Sequence, residues 1–281
     1  MIPAEFDYVA PDSVEEAVSQ LAEGGEDAKL LAGGHSLLPL MKVRLAAPTM
    51  LVDLKNVPGL RGVSSEDSVL RIGAMTPHAE LANARAGLLA RAAGLIADQQ
   101  VRNRGTVGGS LAHGDPASDL PAILLAAEGS VSVRGSGGER EVPAAELFQD
   151  YLTTALAPDE VMTSVSAPKL AGYGFGYQKF TRRAEDWAMV AVSALVKASD
   201  GVCEDVRVGL THMGSTPLRA SATEDALRGQ PLDAERIAQA SEQAAEGTDP
   251  PGDLNATPEY KRHLGRVLCR RVLEEAAAGA Q

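Results

Sequence analysis

The stretch Lys29-Leu30-Leu31-Ala32-Gly33-Gly34-His35-Ser36 decides the reading of this chain. A short apolar run ends on two glycines, a hydroxyl follows, and Leu37 onward is able to start a helix. Further along, Thr106-Val107-Gly108-Gly109-Ser110 repeats the pattern. Consecutive glycines let backbone N–H groups surround an anion with no Cβ in the way, and a helix N-terminus adds partial positive charge. One such turn reads as a tight bend. Two in one chain point to a diphosphate gripped from both sides, and so to a dinucleotide ligand.

The flanking sequence places the first turn in a βαβ-like unit over about residues 1–55. Phe6 to Pro11 reads as an edge strand, and Asp12 or Ser13 caps a helix over Val14–Ala22 that stops at Gly24-Gly25. Strands follow at Lys29–Ala32 and Met50–Leu54. Paired strands are expected around Leu60–Val63 and Val69–Ile72, with helices from Thr76-Pro77 and over Gly87–Ala97. Asp115-Pro116 reads as an N-cap with proline at the first helical position, the helix running through Ala122–Glu128 to Gly129. A hairpin turns at Gly135-Ser136-Gly137-Gly138, and Asp159–Val165 adds a strand.

Composition shifts at Ala171-Gly172-Tyr173-Gly174-Phe175-Gly176-Tyr177, which marks a domain junction. Beyond it, strands near Tyr177–Thr181, Ala188–Lys197 and Val206–Thr211 precede helices at Thr223–Arg228, Asp233–Ala245 and Pro258–Ala278, with a frayed tail at the end. Strands followed by helices make the second part α+β.

Composition bounds the function. The chain has 281 residues, 44% hydrophobic and 23% charged, within the range of a folded globular protein. Its net charge of −12 argues against nucleic acid or an anionic membrane as partner, so a phosphate-bearing ligand must be held by local donors. The two cysteines, Cys203 and Cys269, are too few for an iron–sulfur or four-ligand zinc site. None of the histidines has the i, i+4 spacing of a metal pair, so no metal site is expected. No apolar run reaches spanning length and the first residues lack a leader pattern; with reduced thiols, the expected location is cytoplasmic.

The nicotinamide fingerprint G-x-G-x-x-G and the P-loop pattern are both absent, so the glycine turns belong to another dinucleotide scaffold. Ser36 and Ser110 offer hydroxyls, and Arg102 and Arg104 offer positive charge beside the second turn. Asp115 caps its helix, leaving Asp119 to bond a ligand's sugar hydroxyl or ring N–H. Tyr177 to Trp187 is a dense aromatic and basic stretch, with Lys179 and Thr181 on one strand face. The single tryptophan, Trp187, either packs in the core or stacks on a planar ligand.

With these segments in place, the chain resembles the FAD-binding medium subunit of molybdenum hydroxylases, closest to the carbon monoxide dehydrogenase flavoprotein group. The resemblance rests on Ala32 to Lys42, on Val101 to Ser110 with Asp115-Pro116-Ala117-Ser118-Asp119, on Lys179 to Trp187, and on Gly214-Ser215-Thr216-Pro217-Leu218-Arg219-Ala220. It implies an α+β fold. A two-subdomain FAD-binding domain of the vanillyl-alcohol-oxidase type occupies residues 1–172, divided at about 55. A smaller C-terminal flavoprotein domain of antiparallel sheet and helices occupies 173–281.

The resemblance also implies the site. Ala32, Gly33, Gly34, His35 and Ser36 with Thr106, Val107, Gly108, Gly109 and Ser110 form the pyrophosphate cradle, Asp119 contacts the flavin, and Lys179 and Trp187 lie near its ring. Position 110 is often Asn or Asp in the family and is Ser here, still a hydrogen-bonding group. Molybdopterin and [2Fe-2S] clusters are expected on a large and a small partner subunit, in a dimer of heterotrimers, with FAD passing electrons to an external acceptor. No side chain here is needed as acid or base. The competing reading is a self-sufficient flavin oxidase of the same fold, which needs its own substrate pocket.

Overall fold

The computed structural model describes residues 2–280, so Met1 and the Gln281 end of the expected frayed tail lie outside the described residues. The chain opens with β1 (Asp7–Val9), α1 (Val14–Gly24), β2 (Ala28–Leu31), α2 (Leu37–Lys42) and β3 (Met50–Asp53). The three strands are parallel in the order β1-β3-β2, which puts β1 at an edge. Ser13 caps α1 by accepting the Glu16 N–H at 3.1 Å, and Glu15 and Glu16 in the first turn suit the helix dipole. The inner face of α1, Ala17, Val18 and Leu21, closes on Ala28, Val52 and Leu54.

A second unit contains β4 (Val63–Glu66), β5 (Val69–Gly73), α3 (His78–Ala82), α4 (Gly87–Ala93), α5 (Gln99–Arg104), α6 (Val107–His113), α7 (Asp119–Ala126), β6 (Ser130–Gly135), β7 (Gly138–Pro143), α8 (Ala144–Leu147), β8 (Phe148–Asp150), β9 (Thr153–Thr154) and β10 (Val161–Pro168). Its antiparallel sheet runs β4-β5-β10-β6-β7, and β8 pairs with β9. Ile72, Val131 and Val165 of the sheet share a core with Leu111, Leu120, Ile123 and Leu124 of α6 and α7.

The last unit is a four-stranded antiparallel sheet, β11 (Tyr173–Phe180), β12 (Val190–Ser199), β13 (Val202–Thr211) and β14 (Leu218–Arg219), with α9 (Ser221–Leu227), α10 (Ala234–Ser241) and α11 (Pro258–Gly279). Both faces of this sheet are covered. Ala191 and Leu195 of β12 join the core of the second unit, whereas Val190, Val192, Ala194 and Val196 join the core around α11. A strand stretch buried on both faces is mostly apolar, and Val190–Val196 of β12 reads that way, with Ser193 its one polar residue.

Several expectations need correction. The strand expected at Leu60–Val63 is Val63–Glu66: Asp67, at φ 46, makes a tight turn that pairs Glu66 with Val69, while Leu60 is buried in the preceding loop. The helix expected over Gly87–Ala97 stops at Ala93; Ala97 has φ 42, and α5 follows with Asp98 accepting the Val101 N–H at 2.8 Å. The second glycine pair therefore follows a helix, and lies inside α6, whose N-cap is Thr106.

Asp115-Pro116 does not start α7. Asp115 Oδ1 accepts the Ala117 N–H at 2.8 Å in a local turn, and the helix begins at Asp119 behind Ser118. Gly174 and Gly176 are not linker glycines but strand residues. A Cβ on Gly174 would stand 2.0 Å from Ala276 O, and one on Gly176 2.3 Å from Val272 O, so their absence lets α11 lie directly on β11. The α8, β8 and β9 elements have no counterpart in the sequence reading.

Candidate functional site

The two glycine turns meet. A Cβ on Gly33 would stand 2.4 Å from Arg104 O and 2.7 Å from Gly105 Cα, and one on Gly109 would stand 3.4 Å from the Cβ of Ala32. Gly108 is pressed as closely on the end of β5, where its Cβ would be 2.5 Å from that of Ala74. Around the junction opens a cavity of about 590 Å³, within the ~300–1,000 Å³ of small-molecule sites. Its floor is the β2–α2 turn and the start of α6; its far end is Asp119, Lys179 and Trp187.

The turns differ in what they offer. Among the described residues, no protein acceptor takes the N–H of Gly33, Gly34, His35 or Ser36. Val107 N–H and Gly108 N–H go to Thr76 O at 3.0 Å and Ala74 O at 2.8 Å, and Gly109 N–H goes to Thr106 Oγ1 at 3.2 Å. The first turn is thus the amide donor face, with Gly34 at φ 77 completing its bend. The second contributes hydroxyls and a surface free of side chains.

At the far end, Lys179 Nζ lies 3.0 Å from Asp119 Oδ2, the two side chains 6% and 4% exposed. Tyr177 donates its hydroxyl to the other carboxylate oxygen, and Lys179 also donates to Leu95 O at 3.3 Å. Tyr177 and Lys179 share a face of β11 because strand side chains alternate. Burial holds the Asp119 carboxyl above the usual carboxylate range against the opposing pull of Lys179 and Tyr177. Burial also pushes the Tyr177 phenol well above its ordinary value, so it stays a donor.

Trp187 is 57% exposed on the loop between β11 and β12 and lines the cavity with Glu185 and Asp186, which rules out the core-packing alternative. His78, at the first turn of α3, also lines the cavity, buried against Gly105, whose carbonyl accepts its backbone N–H at 2.9 Å. Its pKa falls to about 4, chiefly through burial and secondarily through His35, and its Nδ1 has no partner.

Ala32, Gly33, Gly34, His35, Ser36, Thr106, Gly108, Gly109, Ser110, Asp119, Lys179 and Trp187 all line this one cavity. Val107 does not; it is 1% exposed and packs in the core. Arg102 and Arg104 do not line it either. Arg102 donates to Ile96 O at 2.8 Å and Ala97 O at 2.7 Å, holding the bend between α4 and α5. Sequence reasoning missed the apolar wall of Met75, Ile96, Leu156 and Met162, which carries no motif. It also missed Tyr177, for which the i, i+2 spacing to Lys179 was the available signal.

Residues 4–170 match the family described as FAD binding domain in molybdopterin dehydrogenase, and residues 175–276 match the CO dehydrogenase flavoprotein C-terminal domain. The chain belongs to this family of FAD-binding medium subunits of molybdenum hydroxylases, and is an oxidoreductase subunit. It is 42% identical to the carbon monoxide dehydrogenase medium chain of Hydrogenophaga pseudoflava, over 99% of each chain. It is 38% identical to the 6-hydroxypseudooxynicotine dehydrogenase complex subunit alpha of Paenarthrobacter nicotinovorans, over 98% of this chain and 96% of that one. The solved carbon monoxide dehydrogenase of Hydrogenophaga pseudoflava that lacks the Mo-pyranopterin moiety superposes with a TM-score of 0.97, at 43% identity over 100% of both chains.

Proposed function

We propose that this chain passes electrons from [2Fe-2S] clusters of a small partner subunit through FAD to an external acceptor, in a heterotrimer whose large subunit carries molybdopterin. The carrying observation is the convergence of two glycine segments, distant in sequence, on one cavity that ends in a buried Asp–Lys pair. The free amides of Gly33 to Ser36, with the hydroxyls of Ser36, Thr106 and Ser110, suit a diphosphate. Gly33 and Gly109 keep that cradle clear of side chains. Asp119 and Lys179 supply an acceptor and a donor for a polar ring edge, and Trp187 supplies a flat face for stacking. When bound, FAD supplies two-electron storage with one-electron exchange; the protein's share is orientation and electrostatics.

The carbon monoxide and 6-hydroxypseudooxynicotine dehydrogenase relatives are named for chemically unrelated substrates, yet each aligns over nearly the whole chain. That supports substrate binding on another subunit. The flavin domain is taken to end near residue 172, with subdomains of about 1–55 and 56–172, and the assembly to be a cytoplasmic dimer of heterotrimers. No helix among the described residues is long and apolar enough to cross a membrane. Purified alone, the full chain is expected to bind FAD with an oxidised-flavin spectrum and to oxidise no substrate. Oxidation of an alcohol or amine by the single chain would instead establish the self-sufficient oxidase.

A further inference from the structure

Trp187 lines the cavity while more than half exposed, and its own packing does not fix it. Its position depends on the loop between β11 and β12, closed at its base by Met189 N–H to Phe180 O at 2.9 Å. Long exposed loops open at low free energy unless something ties them down. Here the tie is a polar chain outside the cavity, centred on the buried Lys261.

His212 follows β13 directly and has φ 62, a left-handed conformation that a non-glycine residue adopts at a cost. Its backbone N–H donates to Pro116 O at 2.9 Å, in the segment that leads into Asp119. Its Nδ1 lies 2.8 Å from Ala188 O, next to Trp187. A carbonyl only accepts, so Nδ1 carries the proton and Nε2 is left as an acceptor. Lys261 Nζ donates to it at 3.3 Å. Burial lowers the His212 pKa below its ordinary value, in keeping with a neutral ring.

Lys261 is fully buried, on the first turn of α11, and its ammonium also pairs with Asp253 Oδ2 at 2.7 Å. Burying a lysine is costly without such partners. Asp253 Oδ1 in turn accepts the N–H of Asn255 at 2.7 Å, and Asn255 Oδ1 accepts from Arg182 at 3.3 Å. The loop is therefore held near both ends, at Arg182 and at Ala188, by one cluster rooted in α11.

We propose that His212, braced by Lys261 and Asp253, is a positioning residue that locks the Trp187 loop and the segment before Asp119 into one rigid wall of the cavity. Its relevance to flavin rests on the reading under Proposed function; the lock itself does not. The chain's single tryptophan makes both testable in the full chain. His212→Gly keeps a residue that accepts φ 62 and removes the ring, whereas His212→Asn tolerates the same backbone and restores a donor toward Ala188.

In the flavin-free chain, time-resolved fluorescence anisotropy of wild type and His212→Asn is expected to show Trp187 turning with the whole molecule. His212→Gly is expected to add a fast nanosecond component and greater acrylamide quenching, with unchanged circular dichroism. Wild-type-like anisotropy in His212→Gly, or no restoration in His212→Asn, overturns the lock. Addition of FAD reads the second question separately. Bound FAD should quench wild-type Trp187 and quench it less in His212→Gly; bound FAD without quenching in the wild type overturns the stacking role of Trp187, while the anisotropy still decides the lock.

Discussion

Gly33 and Gly105 pack backbone to backbone: a Cβ on Gly33 would lie 2.7 Å from the Cα of Gly105 and nearer still to Arg104 O. Both neighbours are main chain, so no rotamer change relieves the clash. The contact is what fixes the first glycine turn against the loop that feeds the second.

Gly33→Ala is therefore expected to pry the turns apart. An overpacked contact costs about 1–3 kcal/mol. If that strain falls on the holo form, each ~1.4 kcal/mol weakens FAD binding about tenfold. Titration of the flavin-free variant with FAD, followed by flavin fluorescence, measures it. Wild-type affinity in a folded Gly33→Ala protein would remove the convergence argument.

The Asp119–Lys179 pair gives a second test. Breaking a buried pair from one side costs about 3–5 kcal/mol, since the remaining charge is left without compensation. Lys179→Met is expected to show that loss in chemical denaturation. The pH dependence has a definite sign. Asp119 already has a folded pKa above its unfolded one, so its contribution to stability falls as pH rises through the folded value. Without the ammonium that pKa climbs further, and Lys179→Met should lose stability with rising pH up to a higher pH than the wild type does. Parallel pH profiles would show that the pair is not coupled.

The elements that could be read from sequence are those whose signal is local. Ser13 before Val14–Gly24 and the glycine hairpin between β6 and β7 each carry their own cap or turn chemistry. The glycine turns were legible because two of them recur in one chain, each beside a hydroxyl and a helix start. What was not legible depends on contacts made at a distance. Gly174 and Gly176 look like a linker until α11 is laid on them, and Arg102 looks like a phosphate ligand until Ile96 O and Ala97 O claim it. Leu60 is apolar for the core of the first unit while its backbone is a loop, so hydrophobicity misplaced β4. The Lys261 site lay wholly outside sequence reasoning, because one lysine in a basic helix has no sign that it is buried.

Gly176 offers a test confined to the fold. Its Cβ would stand 2.3 Å from Val272 O and 2.9 Å from Val272 Cα, both on the backbone of α11. Gly176→Ala should cost about 1–3 kcal/mol by overpacking. Gly137, at the tip of the β6–β7 hairpin, has nothing within 4 Å of a built Cβ, so Gly137→Ala is the control and should leave the melting temperature within error. Equal effects from the two would mean that chain entropy, rather than the helix contact, governs both.

His78 predicts how the chain responds to acid. It is 4% exposed, its Nδ1 is unpartnered, and its pKa falls from 6.5 to about 4 because burial disfavours the charged ring, with His35 adding to the effect. The unfolded chain therefore binds a proton near pH 6.5 that the folded chain refuses until about pH 4. Between those values the unfolded state is favoured progressively, by ~1.4 kcal/mol per pH unit and about 3 kcal/mol across the window. Above pH 6.5 the residue adds no slope, and below about 4 the loss is complete. His78→Leu removes the titrating group at similar bulk. On the flavin-free chain, where ligand binding does not alter the balance, urea denaturation at pH 7.0 and 5.0 should show the gap between wild type and His78→Leu shift by about 2 kcal/mol in favour of the variant at the lower pH. A gap that stays constant would mean that His78 takes up its proton in the folded state as readily as in the unfolded one, through an opening of the cavity wall beside Gly105.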